Sequence, residues 1–206
     1  MAGKLFRLTL NQLLLSNVYL GTKSNFFTVR VKPFLLGSRT GSYVINLSFT
    51  YLQFKILINL IVNIVSHRQK ILIVKDLDFY NLAPSLLLKN IFYYDKKWIG
   101  GILTNYRTVR KSIKFKENNL LLLRYMPSLL FLFNTNISKW ALFEAFNLEI
   151  PVSSIVDTNS PYFEYINYPI IGNNQSFESI YLYVNILRNA VLKGRQKECL
   201  KIMRIV

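Results

Sequence analysis

The sequence predicts an α/β fold of the doubly wound kind, with helices covering both faces of one parallel sheet. Three observations lead there. Runs such as ILIVK (71–75, apolar up to Lys75), IFYY (91–94) and LLFLF (129–133) are near-continuously apolar, as strands buried on both faces are. Helix-length segments separate these runs, so the strands join by crossovers. At 206 residues, 51% of them hydrophobic, the chain is most economically one domain with a substantial core.

Taken in order, the first 41 residues carry Lys23, Arg30, Lys32 and Arg39 around Gly21, Pro33, Gly37 and Gly41, with few helix-length patterns. That composition fits a basic arm or loop laid on a partner, and equally a solvated loop. YVINL (43–47) reads as a first short strand, and TYLQFKILINLIVNIVSH (50–67) as a helix with helical spacings at Leu52, Ile56, Asn59 and Asn63. ILIVK is the next strand, FYNLAPSLLLKN (79–90) a helix that Pro84 starts or interrupts, and IFYY another strand. LLFLF, PVSSIVD (151–157) and YPII (168–171) complete the set of about five strands, with SKWALFEAFNL (138–148) a helix among them. The segment 176–194 closes the domain as an amphipathic helix that Gly194 stops. The expected organisation is an arm at 1–41, an α/β domain at 42–194 and a basic tail at 195–206.

The charge balance is lopsided. Twenty-six Lys and Arg against ten acids give +16, and the first acid is Asp76, which favours a polyanionic partner. One cysteine and one histidine exclude an internal disulfide, a multi-cysteine zinc site and a histidine metal cluster, so no cofactor or metal is expected. His67 follows an apolar run and suits a helix end at the surface. Uninterrupted apolar runs all fall short of the roughly 18 residues that span a bilayer. ILINLIVNIV (56–65) carries two asparagines, LLLLRYMPSLLFLF (120–133) is broken by Arg124 and Pro127, and both read as buried elements.

The stretch KKWIGGILTNYRTVRKSIKFK (96–116) concentrates the cations. Trp98 is expected to bury its ring, Gly100 and Gly101 to let the chain turn, and Thr104 to cap a helix. On that helix Ile102, Tyr106, Val109 and Ile113 share an apolar stripe, while Arg107, Arg110, Lys111 and Lys114 form a second at i, i+3, i+4 and i+7. Guanidinium and ammonium groups so placed suit phosphate oxygens, with Asn105, Lys96 and Lys97 alongside. A merely solvated face fits the same pattern. The Gly pair lacks dinucleotide-binding spacing and a Walker A ending. Asp157 and Thr158 stand at a strand's carboxyl end, where doubly wound enzymes bind ligands, yet no partner for acid–base chemistry is near in sequence. With Asn159 they read more readily as a turn.

Taken together, KWIGGILTNYRTVRKSIK, FEAFNLEIPVSSIVDTN and YPIIGNNQSFESIYLY resemble three signature segments of the small-subunit ribosomal protein two family. The amino-terminal Gly21, Lys32, Pro33, Gly37, Arg39, Gly41, Ile45, Asn46 and Leu47 match it as well, so the resemblance spans nearly the whole chain. It implies a flavodoxin-like three-layer α/β/α sandwich without catalytic activity. The implied role is to bind small-subunit ribosomal RNA between head and body, beside other small-subunit proteins, with no small-molecule substrate. The implied RNA contacts are the cations named above, and Gly172 and Asn173 join the structural motif residues.

The chain departs from the family in four places. H-F-G-H is replaced by YLGT (19–22), a strand-end G-T-K by KDL (75–77), and P-D-L-L-F-V-I-D by PSLLFLFN (127–134). A long helical hairpin that follows S-I-K in the family is reduced to FKENNLLLLRYM (115–126), so no coiled-coil projection is expected, and neighbours that lean on the hairpin would dock otherwise. Phe, Tyr, Ile, Asn and Lys supply 85 of the 206 residues, the codon bias of an AT-rich genome such as organelles carry. The resemblance begins near Leu13, leaving little room for a cleaved presequence. The expectation is therefore a mitochondrial ribosomal protein made inside the organelle. The competing expectations are a flavodoxin-like enzyme holding a nucleotide or flavin, and a basic peripheral membrane protein.

Overall fold

The computed structural model describes residues 8–23, 27–74, 91–94, 98–105 and 126–203. The chain begins with α1 (Leu10–Leu15), β1 (Leu20–Lys23), a 3-10 helix (Val29–Phe34), β2 (Leu35–Arg39) and β3 (Ser42–Ile45). Then come α2 (Leu47–Ser66), β4 (Ile71–Val74), β5 (Ile91–Tyr94), β6 (Leu129–Leu132) and α3 (Lys139–Asn147). β7 (Val152–Val156), a 3-10 turn (Phe163–Tyr165), β8 (Tyr168–Ile171) and α4 (Phe177–Met203) end it.

β5-β4-β6-β7-β8 form one parallel sheet. Counted along the chain, these strands stand in the order 2-1-3-4-5, which is the flavodoxin-like arrangement. Alternate residues of each strand point to opposite faces. Ile71, Ile73, Ile91, Leu129, Phe131, Ile155 and Ile170 pack with α1, α2 and α4. Leu72, Val74, Phe92, Leu130, Leu132, Val156 and Ile171 pack with α3, Trp98, Ile102 and Leu103. Two cores therefore sandwich the sheet. Ser153 and Ser154 are buried within β7, and their hydroxyls donate to the carbonyls of Tyr168 and Leu132 on the flanking strands, each at 3.0 Å. A polar residue is tolerated there because its hydrogen bond is made.

Three readings of the sequence change. The run 43–47 is not a strand of the parallel sheet. β3 ends at Ile45, Asn46 caps α2 by accepting from the Ser48 amide at 3.1 Å, and β3 pairs antiparallel between β1 and β2 in a separate three-stranded sheet. The arm is accordingly not a plain loop: it carries α1, two strands and a 3-10 helix, and its hairpin turns at Thr40 and Gly41, both at positive φ. Nor does Gly194 stop a helix. α4 runs on to Met203 because its last turns lie along the end of α2, where Arg68 Nε meets Glu198 at 2.8 Å and Lys197 Nζ donates to Asn63 at 3.2 Å. Gly194 is there for close packing: a Cβ would fall 2.7 Å from Val65 Cβ.

α2 is long and apolar enough to cross a membrane by length and composition alone. Here Phe54, Leu57, Ile61 and Val65 are buried against α4 and the sheet, and His67 ends the helix, its Nδ1–H donating to the Asn63 carbonyl at 2.7 Å. The helix expected at 79–90, the helix beyond Asn105 and the shortened interval in place of the coiled coil lie outside the described residues.

Candidate nucleic-acid interface

Two polar constructions hold the described segments beside which the predicted cations fall in the sequence. The first supports the turn from Trp98 to Asn105. α3 buries Ala141, Leu142 and Ala145 on one stripe, and Glu144 lies on that same stripe. Its Oε1 accepts from Trp98 Nε1 at 2.9 Å and from the Gly101 amide at 2.7 Å. Its Oε2 accepts from the Leu103 amide at 2.8 Å, the Thr104 amide at 3.3 Å and the Thr104 hydroxyl at 3.5 Å. A carboxylate taken out of water is stabilised only by such a set of donors. Trp98 is buried with its ring edge-on to Tyr94 at 5.2 Å, and Gly101 supplies the positive φ of 91° that the turn requires. The Asn105 amide closes the turn on the Gly101 carbonyl at 2.8 Å. Gly100, Thr104 and Asn105 face solvent.

The second construction fastens the arm to the carboxyl ends of β7 and β8. Thr158 Oγ1 accepts from the Thr22 amide at 3.0 Å and shares a hydrogen bond of 2.5 Å with the Thr22 hydroxyl. The Thr158 carbonyl accepts from the Thr28 amide at 2.9 Å. Gly21 permits this approach, because a Cβ would fall 2.6 Å from Thr158 Cγ2. Asp157 Oδ1 accepts from the Thr158 amide at 2.6 Å, and the Ser160 amide closes the turn over Asn159 onto the Asp157 carbonyl at 3.2 Å. On β8's side, the Asn173 amide donates to the Val18 carbonyl and Asn173 Nδ2 to the Asn17 carbonyl, each at 3.2 Å. Asn173 Oδ1 accepts from the Gln175 and Ser176 amides at 2.9 and 3.2 Å as α4 begins, and Tyr183 Oη donates to the Asn173 carbonyl at 3.0 Å. Gly172 faces that hydroxyl across a gap that no Cβ fits, at 2.6 Å.

Burial lifts Asp157 above the usual carboxylate range, opposed by its hydrogen bonds from Thr158, Thr22 and Asn174. Burial, and then the Asp157 charge, push the Tyr183 hydroxyl well above the usual phenol range. Both groups are committed to the fastening.

Lys23, Arg30, Lys32 and Arg39 are all exposed on the arm, with Pro33 and Gly37 exposed beside them. Arg30 is also ion-paired with Glu164. Lys96, Lys97, Arg107, Arg110, Lys111 and Lys114 lie outside the described residues. Sequence reasoning missed Glu144, although a lone acid among Ala141, Leu142 and Ala145 breaks the apolar stripe of α3 and signals a buried partner.

The ribosomal protein S2 family matches this chain over residues 13–123 and 118–194. The chain belongs to that family. It is 32% identical over 224 residues to the small ribosomal subunit protein uS2 of Pseudoalteromonas atlantica, covering 92% of each chain. It is 30% identical to the protein of that name from Shewanella piezotolerans, covering 92% of this chain and 93% of the other. The family is a structural, non-enzymatic one, and the parallel sheet of this member has the flavodoxin-like strand order.

Proposed function

We propose that this chain is a structural constituent of the small ribosomal subunit, in the mitochondrial ribosome, and that it binds small-subunit ribosomal RNA between head and body. The observation that carries the RNA reading is the arm. Its four cations are exposed on a segment that Thr158 and Asn173 hold in place, and no acid occurs before Asp76. A fixed cationic surface meets phosphates without first having to be ordered. Lys23, Arg30, Lys32 and Arg39 act with Lys96, Lys97, Asn105, Arg107, Arg110, Lys111 and Lys114, and read RNA mostly through phosphates, 2′-hydroxyls and shape. Neighbouring small-subunit proteins flank it. The abundance of amino acids with AT-rich codons, Phe, Tyr, Ile, Asn and Lys, supports the mitochondrial reading.

The test is filter binding of the purified chain to small-subunit ribosomal RNA across salt. Each neutralised phosphate contributes a slope of roughly −0.7 to −0.9 in log K against log salt, so a steep line is expected. Arg107→Glu with Arg110→Glu should flatten that line and reduce incorporation into the subunit, with circular dichroism unchanged. A shallow line for the native chain, or normal incorporation of the double variant, speaks against the reading.

A further inference from the structure

α2 and α4 pack side by side, and their last turns meet at one corner of the molecule. Residues 63–70 and 193–203 hold six Lys and Arg against one acid, Glu198. Three of these cations are held in place. Glu198 Oε1 accepts from Arg68 Nε at 2.8 Å. Lys197 Nζ donates to Asn63 Oδ1 at 3.2 Å, and Lys201 Nζ to His67 Nε2 at 3.3 Å. Nε2 can accept because the ring's proton sits on Nδ1, which donates to the Asn63 carbonyl. Neutral acceptors thus orient both lysines without cancelling their charge, and three cations less one acid leave the cluster at +2. Lys193 is exposed one turn back from Lys197, in the same i, i+4, i+8 row as Lys201. Arg68 gives a second, independent sign. It stands at a φ of 60°, the left-handed position after a helix that glycine takes without strain. Its ion pair offsets little of that strain, since the arginine side chain is 69% exposed and such pairs are weak. With Nε taken by Glu198, the terminal Nη pair remains to grip a phosphate bidentately.

Place and chemistry narrow the partner. The arm is fastened at the carboxyl ends of β7 and β8, whereas this corner leads into the amino end of β4. α2 spans the distance between them with 20 residues, about 30 Å. Asn63, His67, Arg68, Lys197, Glu198 and Lys201 are all polar, while protein interfaces bury an apolar centre. Leu192 and Met203 are exposed, but helical spacing puts them on the flank of α4 opposite Lys201. A bilayer that took them up would leave the corner on its far side. An RNA backbone asks only for cations at fixed places.

We propose that this corner is a second RNA-binding surface, where Arg68, Lys193, Lys197 and Lys201 hold backbone phosphates of a ribosomal RNA stretch away from the arm. The proposal rests on the ribosomal reading above and makes the chain a brace between two RNA stretches about 30 Å apart. Its test is filter binding of the full chain to small-subunit ribosomal RNA across salt, with Lys197→Gln and Lys201→Gln combined. Loss of two phosphate contacts should reduce the slope of log K against log salt by roughly 1.5, with circular dichroism unchanged. Lys55→Gln with Arg188→Gln removes the same charge from exposed positions elsewhere on α2 and α4, and should leave the slope as it is. In purified small subunits, p-benzoylphenylalanine at the exposed Gln69, next to Arg68, should cross-link to RNA on irradiation. Equal slopes for the two variant pairs, or a cross-link to protein, to lipid or to nothing, overturn the proposal. A shallow line for the native chain brings down the ribosomal reading too. A steep native line that the Lys197 and Lys201 pair leaves equally steep brings down the corner alone.

Discussion

The two polar constructions solve the same problem in opposite ways. Under the Trp98–Asn105 turn, one carboxylate from α3 gathers five donors. At the ends of β7 and β8, the arm is fastened by many neutral bonds shared among Thr158, Thr22, Thr28, Asn173, Asn17 and Val18. A single charged hub is compact and fragile, since every donor loses its partner at once. A distributed clasp gives way by degrees, and its weak points are the places where backbone comes closest.

The contrast breaks most sharply at Glu144. Glu144→Ala should cost about 3 kcal/mol or more, because buried donors are left without an acceptor. The urea midpoint should fall while Trp98 fluorescence shifts toward that of exposed indole. Glu144→Gln should cost less, since one acceptor oxygen remains. A loss below about 1 kcal/mol for the alanine variant would put the hub description aside.

At the clasp, Gly172→Ala should cost about 2 kcal/mol, because the fully buried Tyr183 ring has no room to retreat. Gly21→Ala should cost about 1 kcal/mol, since Thr158 can rotate at the expense of its bonds to Thr22. Hydrogen exchange at Thr22 and Thr28 should rise in the second variant before the sheet amides respond.

Asp157 sharpens the comparison through pH. Its folded value is raised, so the folded chain holds that proton more tightly than the unfolded one. Its contribution to stability is full below the unfolded carboxylate value and is lost as pH rises from about 4 through the raised folded value. Asp157→Asn should flatten that part of the stability profile and shift stability by no more than about 1 kcal/mol. An unchanged slope in chemical denaturation would show that the carboxyl is not the source.

The smallest effect on stability is expected from Lys23→Glu with Arg39→Glu, within about 0.5 kcal/mol, since both side chains are exposed. RNA affinity at low salt should nonetheless drop. Equal affinity for the variant and the native chain would separate the fastened arm from the RNA surface.

The parallel sheet was legible because ILIV, IFYY and LLFL carry their burial in their composition. The small sheet was not, since YVIN has the same composition as a buried parallel strand and only its partners β1 and β2 reveal its role. Gly194 misled because a glycine signals a helix end and a close crossing with the same letter, and Val65 across the contact decides between them. The turn at Asp157–Asn159 was visible as a turn, and Asn173 only as a motif residue of the resemblance. Their purpose was not, because it lies in residues more than a hundred positions away. Glu144 left one trace, an acid that breaks the apolar stripe of Ala141, Leu142 and Ala145, but its donors between Trp98 and Thr104 lie 40 to 46 positions away.

That separation has a consequence for synthesis. Thr22 meets Thr158 across 136 positions, and Asn17 meets Asn173 across 156. The arm leaves the translating ribosome first, and its anchoring residues leave among the last. At roughly 5–20 residues per second, it waits about 7 to 30 seconds as an unanchored cationic strand. Closing so long a loop is slow and is rewarded only when the sheet already stands. The clasp therefore reports how far synthesis has gone: an arm held at Thr22 belongs to a chain made at least through Thr158, one held at Asn17 to a chain made through Asn173, and a shorter product presents its cations on a loose thread.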